Sequence, residues 1–277
     1  MKLAFIGAGS MSEALISGIV CSNLMDAECI TVSNRGNLER LKALQTKYGI
    51  NYTLNVGQMV KEADIVLLAM KPKDVKEASQ QWKKEINKSK LVISVLAGVS
   101  MKSIQLLVGH EIPIARAMPN TSATIGKSAT AITLNSIVTD KQKDFILKLF
   151  QTVGFATMVE ESQLDAVTGL SGSGPAYFYY IVEAMGKAAV DSGLDIHIAN
   201  KLIAQTLIGT AEMIQISSKT PAELRKEVTS PGGTTEAGIK VLNHYNVQTA
   251  FFKCIQEATV QSIKMGRSLN EELKLTK

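Results

Sequence analysis

The sequence contains little of what most nucleic-acid sites are built from, since only 5% of its 277 residues are aromatic. Its net charge is also small, because 30 lysine and arginine residues face 25 acidic residues and give a formal charge of +5. Nucleic-acid domains combine a basic face with interleaved aromatic side chains. We therefore expect no nucleic-acid partner. The excess of lysine is interpreted as solvated surface that helps to attract anionic ligands.

Cysteine and histidine are scarce and are poorly spaced for a disulfide framework or a metal site. The cysteines are odd in number, form no Cys-x-x-Cys pair and lie in apolar stretches typical of buried thiols; they are Cys21, Cys29 and Cys254. The histidines are far apart and form no His-x-x-x-His pair; they are His110, His197 and His244. The sequence thus predicts no metal and a reducing compartment.

Long apolar runs are missing as well. None approaches the roughly 18 residues that a membrane-spanning helix needs, and the apolar stretch at the N-terminus is too short for a signal peptide. We therefore expect a cytoplasmic protein with no membrane association.

The first half of the chain alternates short apolar runs with amphipathic stretches. The runs are rich in β-branched residues, as strands covered on both faces must be; they are Leu3 to Ile6, Ile30 to Ser33, Ile65 to Met70, Leu91 to Val95 and Ile112 to Arg116. The stretches between them have helical spacing; they are Met11 to Cys21, Asn37 to Tyr48, Asp74 to Ile86 and Met101 to Val108. A last strand pair and helix follow, at Ala129 to Leu134, Asp140 to Gln151 and Phe155 to Val159. This order predicts a mostly parallel sheet with helices on both faces.

Beyond about Glu160 the pattern becomes entirely helical. The predicted helices are separated by Gly and Pro breaks; they are Pro175 to Val190, Ile196 to Ile216, Pro221 to Glu227 and Val247 to Met265, with the last residues from Glu271 expected to fray. We therefore expect an α/β domain at 1–160 and an all-α domain at 161–277. The long helices are apolar over wide faces, more than a lone bundle needs, so we expect them to be buried against a second subunit.

A glycine-rich turn follows the first predicted strand and opens a helix. In Gly-Ala-Gly-Ser-Met-Ser, Gly7 permits the tight turn and Gly9 lets a pyrophosphate approach the backbone at the helix N-terminus. Ser12 stands where the third glycine of the usual fingerprint would be, and it is small enough for close packing. This position in a strand–helix series predicts a Rossmann-type dinucleotide site, whereas the alternative is a turn that serves only packing.

The end of the second predicted strand indicates which dinucleotide is bound. An acid there would accept a hydrogen bond from an NAD ribose and repel a 2′-phosphate, but the residues are Ser33, Asn34 and Arg35. Neutral donors beside a cation suit a phosphate, so we expect NADP(H), with NAD(H) as the second possibility. The alternative is that Arg35 is only a solvated surface residue.

Other strand ends and two hydroxyl-rich runs complete the candidate site. Open α/β sheets bind ligands at the strand ends, where the chain has Ala69 to Pro72, Ala97 with Gly98, and Asn120, which could hold the nicotinamide amide or a substrate. The runs Leu170 to Tyr177 and Thr229 to Glu236 resemble loops entering helices, whose free amides bind a carboxylate. Each segment is also compatible with ordinary turn or capping chemistry.

With these motifs the chain resembles the pyrroline-5-carboxylate reductases, which catalyse the last step of proline synthesis. The resemblance runs from Met1 to about Gly266 and is most specific in Gly169 to Tyr177 and Val228 to Thr235. It implies an N-terminal domain that binds NAD(P)H and a helical domain that forms an interlocked homodimer, with further assembly into a decamer as a possibility.

The resemblance also implies roles for individual residues. Cofactor contacts fall on Ile6, Gly7, Ala8, Gly9, Ser10, Met11, Ser33, Asn34, Arg35, Ala69, Met70, Lys71, Pro72, Ala97 and Gly98. The resemblance places the substrate carboxylate on Gly233, Thr234 and Thr235, with Thr235 near the imine nitrogen. Asn120 and Ser173 are added as candidate substrate contacts from their positions at a strand end and in the first hydroxyl-rich run. The alternative for Thr235 is that it only caps the helix that follows.

The chain departs from the family pattern at three places. Ser122 and Lys127-Ser128 stand where the family commonly has a proline and an acidic-Gly pair. Val56 stands at the position of the family's adenine-side asparagine, and the nearest asparagine is Asn55.

The absence of a general acid favours imine reduction over ketone reduction. A ketone reductase normally has a His or Lys acid, whereas a basic imine needs only a positioned hydroxyl and good geometry. The rival β-hydroxyacid dehydrogenases have a catalytic lysine and an asparagine where this chain has Phe178 and Val182. A cofactor-sensing protein without activity, a rival from another class, would not need the Pro-Gly-Gly-Thr-Thr run.

Overall fold

In a computed structural model, which describes residues 1–274, the first part of the chain forms one eight-stranded sheet. The strands are β1 (Leu3–Ile6), β2 (Ile30–Ser33), β3 (Asn51–Tyr52), β4 (Ile65–Leu68), β5 (Leu91–Ser94), β6 (Ile114–Met118), β7 (Ser128–Leu134) and β8 (Gly154–Met158). Their order is β3-β2-β1-β4-β5-β6-β7-β8. All neighbours pair in parallel except β6 and β7, which are antiparallel. The predicted parallel sheet is confirmed.

Helices cover both faces of the sheet. They are α1 (Ser10–Cys21), α2 (Leu38–Tyr48), α3 (Val56–Glu62), α4 (Val75–Ser79), α5 (Met101–Val108), α6 (Asp140–Gln151) and α7 (Leu164–Val167). Alternate residues of a strand point to opposite faces. Accordingly Leu3 and Phe5 of β1 belong to one buried apolar cluster, and Ala4 and Ile6 belong to the other. This two-sided burial explains why the central strands are continuously apolar.

The helix predicted over Asp74 to Ile86 is wrong in its extent. Only α4 is α-helical, and it is flanked by 3₁₀ turns at Pro72–Asp74 and Lys83–Glu85. The backbone leaves the helical region at Trp82, whose φ is −133° and whose side chain is fully buried. Because the Trp82 side chain is buried, the chain leaves the helical conformation there. The spacing of apolar residues over Asp74 to Ile86 would also fit one continuous helix, so it does not reveal the break.

The second part of the chain is helical, and its last helix extends further than expected. Its helices are α8 (Gly174–Asp191), α9 (Ile196–Ile216), α10 (Pro221–Glu227), α11 (Thr234–His244) and α12 (Val247–Lys274). The fraying expected from Glu271 is not seen over Glu271 to Lys274, because Leu269 and Leu273 are buried in the same cluster as Ile104 of α5. The rest of that expectation, residues 275–277, lies outside the described residues.

The end of α12 contacts the loop after β5 at very close range. A Cβ placed on Gly266 would lie 2.4 Å from the carbonyl oxygen of Gly98, so only glycine permits this backbone approach. Nearby, the Ser262 hydroxyl donates to the Asp165 carboxylate over 2.6 Å. The Ser103 hydroxyl likewise donates to the Asn270 side chain over 2.6 Å.

The chain divides into two compact units, one of residues 1–175 with the described residues from 256 onwards and the other of residues 176–255. The predicted boundary after residue 160 differs from this division, because residues 161–175 and the end of α12 pack on the first unit. The sequence predicts that residue 160 ends a cofactor-binding domain and that residue 161 begins a dimerisation domain, and this functional boundary stays a prediction.

The second unit has almost no interior of its own. Within residues 176–255 only Gly186, Ala199 and Ile203 are buried. Large apolar side chains of α9 are about half exposed, among them Ile198 (54%), Leu202 (55%) and Ile208 (51%). Such a continuous apolar surface is typical of a protein–protein interface. In the described part of the chain, no helix is long and apolar enough to cross a membrane.

Candidate functional site

The glycine-rich turn lies where β1 ends and α1 begins, between the ends of β2 and β4. The Gly7 N–H donates to the Ser33 carbonyl over 2.8 Å, and the Gly7 carbonyl accepts from the Ser12 hydroxyl over 2.7 Å. Gly7 has a φ of +115°, and a Cβ on it would lie 2.6 Å from the Ala69 backbone. The turn therefore requires glycine at this position, and Ser12 replaces the third glycine with a buried hydrogen bond.

An ion-pair cluster attaches α2 to this turn. Arg40 donates from Nε to the Ala8 carbonyl over 2.9 Å and from Nη2 to Glu13 over 2.6 Å. Lys47 and the Tyr48 hydroxyl also donate to Glu13. Hydrogen bonds from Lys47, then from Arg40 and Tyr48, lower the pKa of Glu13 from 4.5 to about 2. The Glu13 carboxylate thus holds together the first helix, the second helix and the glycine-rich turn.

We expect Glu13 to give the protein an acid-sensitive share of its stability. A group whose pKa falls on folding stabilises the fold above its unfolded pKa, and this contribution is lost as the pH falls from about 4.5 towards 2. Glu13→Gln should lower the free energy of unfolding by about 1–2 kcal/mol at neutral pH, a modest value because the carboxylate is partly exposed and screened. The difference in unfolding free energy between the variant and the unmodified protein should shrink below pH 4.5. Denaturant unfolding from pH 3 to 7 tests this, and a difference that stays constant with pH would contradict it.

Beside the turn lies a cleft of about 640 Å³ at the carboxyl ends of β1, β2 and β4. Six of the predicted cofactor residues line it, namely Ile6, Gly7, Ser33, Asn34, Arg35 and Met70. The Ser33 hydroxyl is buried and has no hydrogen-bond partner within residues 1–274. An unsatisfied buried hydroxyl at a cleft fits a site whose polar ligand completes the bonding.

The three residues after β2 have different surroundings. Asn34 closes its own turn, since its side chain accepts from the Gly36 N–H and donates to the Asn37 carbonyl. Arg35 extends over the cleft, where its guanidinium pairs with Glu77 at 3.0 Å and with Asp74 at 3.4 Å. Of the three, Ser33 and Arg35 offer side chains to a phosphate, whereas Asn34 shapes the turn that carries Arg35.

Four lining residues were missed by the sequence reasoning, namely Asp74, Glu77, Ala78 and Gln81. They come from the stretch predicted as one helix, where the spacing of Asp74 and Glu77 already placed them on one face. Val56 also lines the cleft, at the position that the resemblance gives to the adenine-side asparagine. Asn55 does not replace the asparagine absent at Val56, because its side chain caps α3 by accepting from the Gln58 N–H.

Of the other predicted cofactor residues, Ala8, Gly9, Ser10 and Met11 belong to the turn and the start of α1, and the remaining five lie along the sheet edge. The Ala69 backbone lies so close to Gly7 that it leaves no room for a Cβ there. Lys71 is exposed. Pro72 and Ala97 line a second cleft against α12. Gly98 has a φ of +73° and faces Gly266. The glycine at 98 therefore admits α12, which is a structural reason for it besides the expected room for a ligand.

The segment Leu170 to Tyr177 is not the predicted loop. Residues Thr168–Gly172 form one π-helical turn between α7 and α8, and the Ser173 N–H donates to the Thr168 carbonyl over 2.9 Å. The Ser173 amide, one of those expected to be free, is thus already bonded. Asn120 is bonded as well, because its side chain donates to the Ser171 carbonyl and accepts from the Ser122 N–H. Asn120 therefore braces the π turn, and the substrate roles of Asn120 and Ser173 stay predictions.

The second hydroxyl-rich run does enter a helix. Gly233 is the N-cap of α11, no side chain caps this helix, and Thr234 and Thr235 begin its first turn. The N–H groups of that turn have no intrahelical acceptor. The Glu236 carboxylate accepts from the Gly232 N–H over 3.0 Å. The Gly232 amide of this loop is thus already bonded to a carboxylate of the chain itself, and the substrate role of Gly233, Thr234 and Thr235 stays a prediction.

The loop lies in the second unit, whereas the cleft and Asn120 lie in the first. Within the described residues, no group of three or more His, Cys, Asp or Glu side chains is placed to hold a metal.

Comparison with known families places both parts of the chain. Residues 161–265 match a family model described as pyrroline-5-carboxylate reductase dimerisation. Residues 2–98 match one described as NADP oxidoreductase, coenzyme F420-dependent. The first match covers most of the helical part and the second covers the first five strands of the sheet, so together they confirm the predicted fold class.

Similar proteins span nearly the full length. Pyrroline-5-carboxylate reductase 2 of Bacillus subtilis is 45% identical over 95% of this chain and 95% of the relative. Pyrroline carboxylate reductase of Plasmodium falciparum, solved with NADP bound, has a TM-score of 0.88 at 28% identity, covering 96% of this chain and 98% of that one. The enzyme of Coxiella burnetii has a TM-score of 0.85 at 36% identity, covering 95% and 98%. Because identity of this degree extends across both the glycine-rich turn and the helical part, the chain belongs to the pyrroline-5-carboxylate reductase family.

Proposed function

We propose that this chain reduces 1-pyrroline-5-carboxylate to L-proline with NADPH, the last step of proline biosynthesis. The observation that carries the proposal is the cleft beside Gly7, where an unsatisfied Ser33 hydroxyl and the Arg35 guanidinium lie at the end of β2. Membership of the family, with 45% identity to one reductase of Bacillus subtilis, supports the same reaction.

The chain's own groups fit the phosphate-rich half of the cofactor. The N-terminal amides of α1 suit a pyrophosphate, and Arg40 keeps the turn in place by holding the Ala8 carbonyl. Ser33 and Arg35 suit a 2′-phosphate. The bound cofactor supplies a hydride, which the C5 carbon of the imine accepts. Use of NADP(H) also agrees with the relative solved with NADP bound.

The loop before α11 supplies what the substrate needs. We assign the substrate carboxylate to the amides of Gly233, Thr234 and the first turn of α11, where the anion benefits from the helix dipole. The Thr235 hydroxyl donates to the ring nitrogen and assists its protonation. Because the imine is basic, this donor can replace a stronger acid.

The reaction is tested with the purified protein in both directions. Loss of NADPH absorbance should depend on added 1-pyrroline-5-carboxylate, and at high pH L-proline should drive the reduction of NADP⁺. Cofactor binding without turnover in either direction would support a sensor and overturn the proposal.

Arg35 should determine how well the phosphorylated cofactor is used. A charge-assisted hydrogen bond contributes roughly 1.5–3 kcal/mol, so Arg35→Ala should raise the KM for NADPH about tenfold and change the KM for NADH little. Steady-state kinetics with both cofactors measures this. Equal losses with the two cofactors would refute a phosphate contact.

We further propose that the functional unit is a cytoplasmic homodimer that can assemble into a decamer. The second unit has only three buried residues in 176–255, so it needs a partner to cover its apolar helices. A second copy of this chain fits, because the matched domain is described as a dimerisation domain.

Light scattering should therefore find no 29.8 kDa monomer at micromolar concentration. Obligate interfaces bury roughly 2,000 Å² or more, and a charge in such an interface is poorly tolerated. Ile208→Glu should dissociate or unfold the helical part, whereas Gln151→Glu adds the same charge at an exposed end of α6 and should not. A stable, active monomer of the unmodified chain would refute the dimer.

A further inference from the structure

The end of β2 has no acidic residue of its own, but two carboxylates from a later part of the chain, those of Asp74 and Glu77, lie against Arg35 there. Arg35 is the one cation among the described residues that line the cleft, and two carboxylates lie against it. Its Nη2 atom lies 3.0 Å from Glu77 Oε2 and 3.4 Å from Asp74 Oδ1. One positive charge therefore faces two negative charges where the sequence indicated a phosphate site.

Two lysines near this cleft, Lys73 and Lys76, are directed elsewhere. Lys76 donates to the Glu272 carbonyl over 3.4 Å, and Lys73 lines the separate cleft against α12. They do not line the Arg35 cleft. The charged residues that line this cleft are thus Arg35, Asp74 and Glu77.

These carboxylates treat the two forms of the cofactor differently. A 2′-phosphate carries up to two negative charges, so it must compete with the carboxylates of Asp74 and Glu77 for the Arg35 guanidinium. A ribose 2′-hydroxyl is a hydrogen-bond donor that a carboxylate accepts, as in NAD-binding sites. Exposed ion pairs are weak, and the Arg35 and Glu77 side chains are 67% and 77% exposed. Arg35 can therefore exchange partners without a large energetic cost.

We propose that Glu77, together with Asp74, is a specificity-determining group that limits the preference for NADP(H) over NAD(H) by holding Arg35. The proposal rests on the proposed use of a nicotinamide cofactor in this cleft. It assigns to α4 a function that an acidic residue at the end of β2 performs in NAD-binding folds. The chain then accepts both cofactors, and Ser33 and Arg35 give a smaller discrimination than they would alone.

The test measures binding instead of turnover. NADP⁺ and NAD⁺ differ only in the 2′-phosphate, and their dissociation constants can be measured by calorimetry on the intact protein. Glu77→Gln should tighten NADP⁺ about three- to fivefold, the range expected for an exposed charge interaction, and should leave NAD⁺ unchanged or weaker. Adding Asp74→Asn should extend this shift. Glu111→Gln, an exposed acid in the loop between α5 and β6, removes the same charge away from the cleft and should change neither constant.

A second background separates competition for Arg35 from a general charge effect. In an Arg35→Gln protein the carboxylates have no guanidinium to hold, so Glu77→Gln should then change NADP⁺ binding less than twofold. A gain of the full size in that background, or an unchanged ratio of NADP⁺ to NAD⁺ binding in Glu77→Gln alone, would overturn the inference. If the unmodified chain binds neither nucleotide, the proposed cofactor function itself fails.

Discussion

Thr235→Val should lower turnover by up to about 10²-fold while the affinity for NADPH and the thermal stability stay nearly unchanged. The hydroxyl is expected to assist protonation of the ring nitrogen, a contribution at the low end of general-acid effects because the imine is already basic. Valine keeps the shape of the side chain and removes the donor. The defect should be smaller at acidic pH, where the solvent protonates the imine.

The structure weakens the alternative that Thr235 only caps a helix. The N-cap of α11 is Gly233, and no side-chain cap bond is made. Loss of a cap would cost about 1 kcal/mol, which we do not expect here. Thr235→Ser, which keeps the hydroxyl, should retain most of the turnover. A Val variant that turns over normally but melts earlier would favour the cap and exclude the catalytic role.

Gly7→Ala should destabilise the first unit by about 3 kcal/mol or more and abolish cofactor binding. The φ of +115° is strained for any L side chain, and the new methyl group would lie 2.6 Å from the Ala69 backbone. Because β1, β2 and β4 meet at this turn, the neighbouring backbone cannot move away cheaply. Denaturant unfolding and calorimetric titration with NADP⁺ measure the two effects.

Gly9→Ala is the matched control for this substitution. Gly9 has an ordinary φ of −76°, and no heavy atom lies within 4 Å of an added Cβ. We expect stability to change by less than about 1 kcal/mol, whereas NADP⁺ binding should weaken about tenfold because the backbone can no longer be approached closely. Equal loss of stability in the two variants would show that packing alone explains both glycines.

The parts of the fold that follow from local pattern were predictable. β1 and β2 have the bounds that their apolar runs indicate, and Gly7 lies at the turn that its spacing implies. Both depend on residues that are adjacent in sequence. The interruption at Trp82 was not predictable in this way, because a helical pattern does not reveal that one of its members must enter the core.

The candidate site was predictable only where each residue acts alone. Arg35 lies at the cleft as expected, but its partners Asp74 and Glu77 are about 40 residues away and meet it only because β4 lies beside β1 in the sheet. Ser173 was interpreted as part of a loop because glycine and serine are common in loops. Small residues also allow a π turn to approach a neighbour closely, and a Cβ on Gly172 would lie 2.9 Å from Met118.

The path of α12 has a consequence for the order in which the protein is made. Leu269 and Leu273 complete the apolar cluster that contains Ile104 and Leu107 of α5, yet they are synthesised after the whole of the second unit. The α/β sheet therefore emerges from the ribosome with one apolar face of α5 still uncovered, and this face is closed only after α12 has been synthesised. During that interval the nascent chain exposes the kind of surface that chaperones bind.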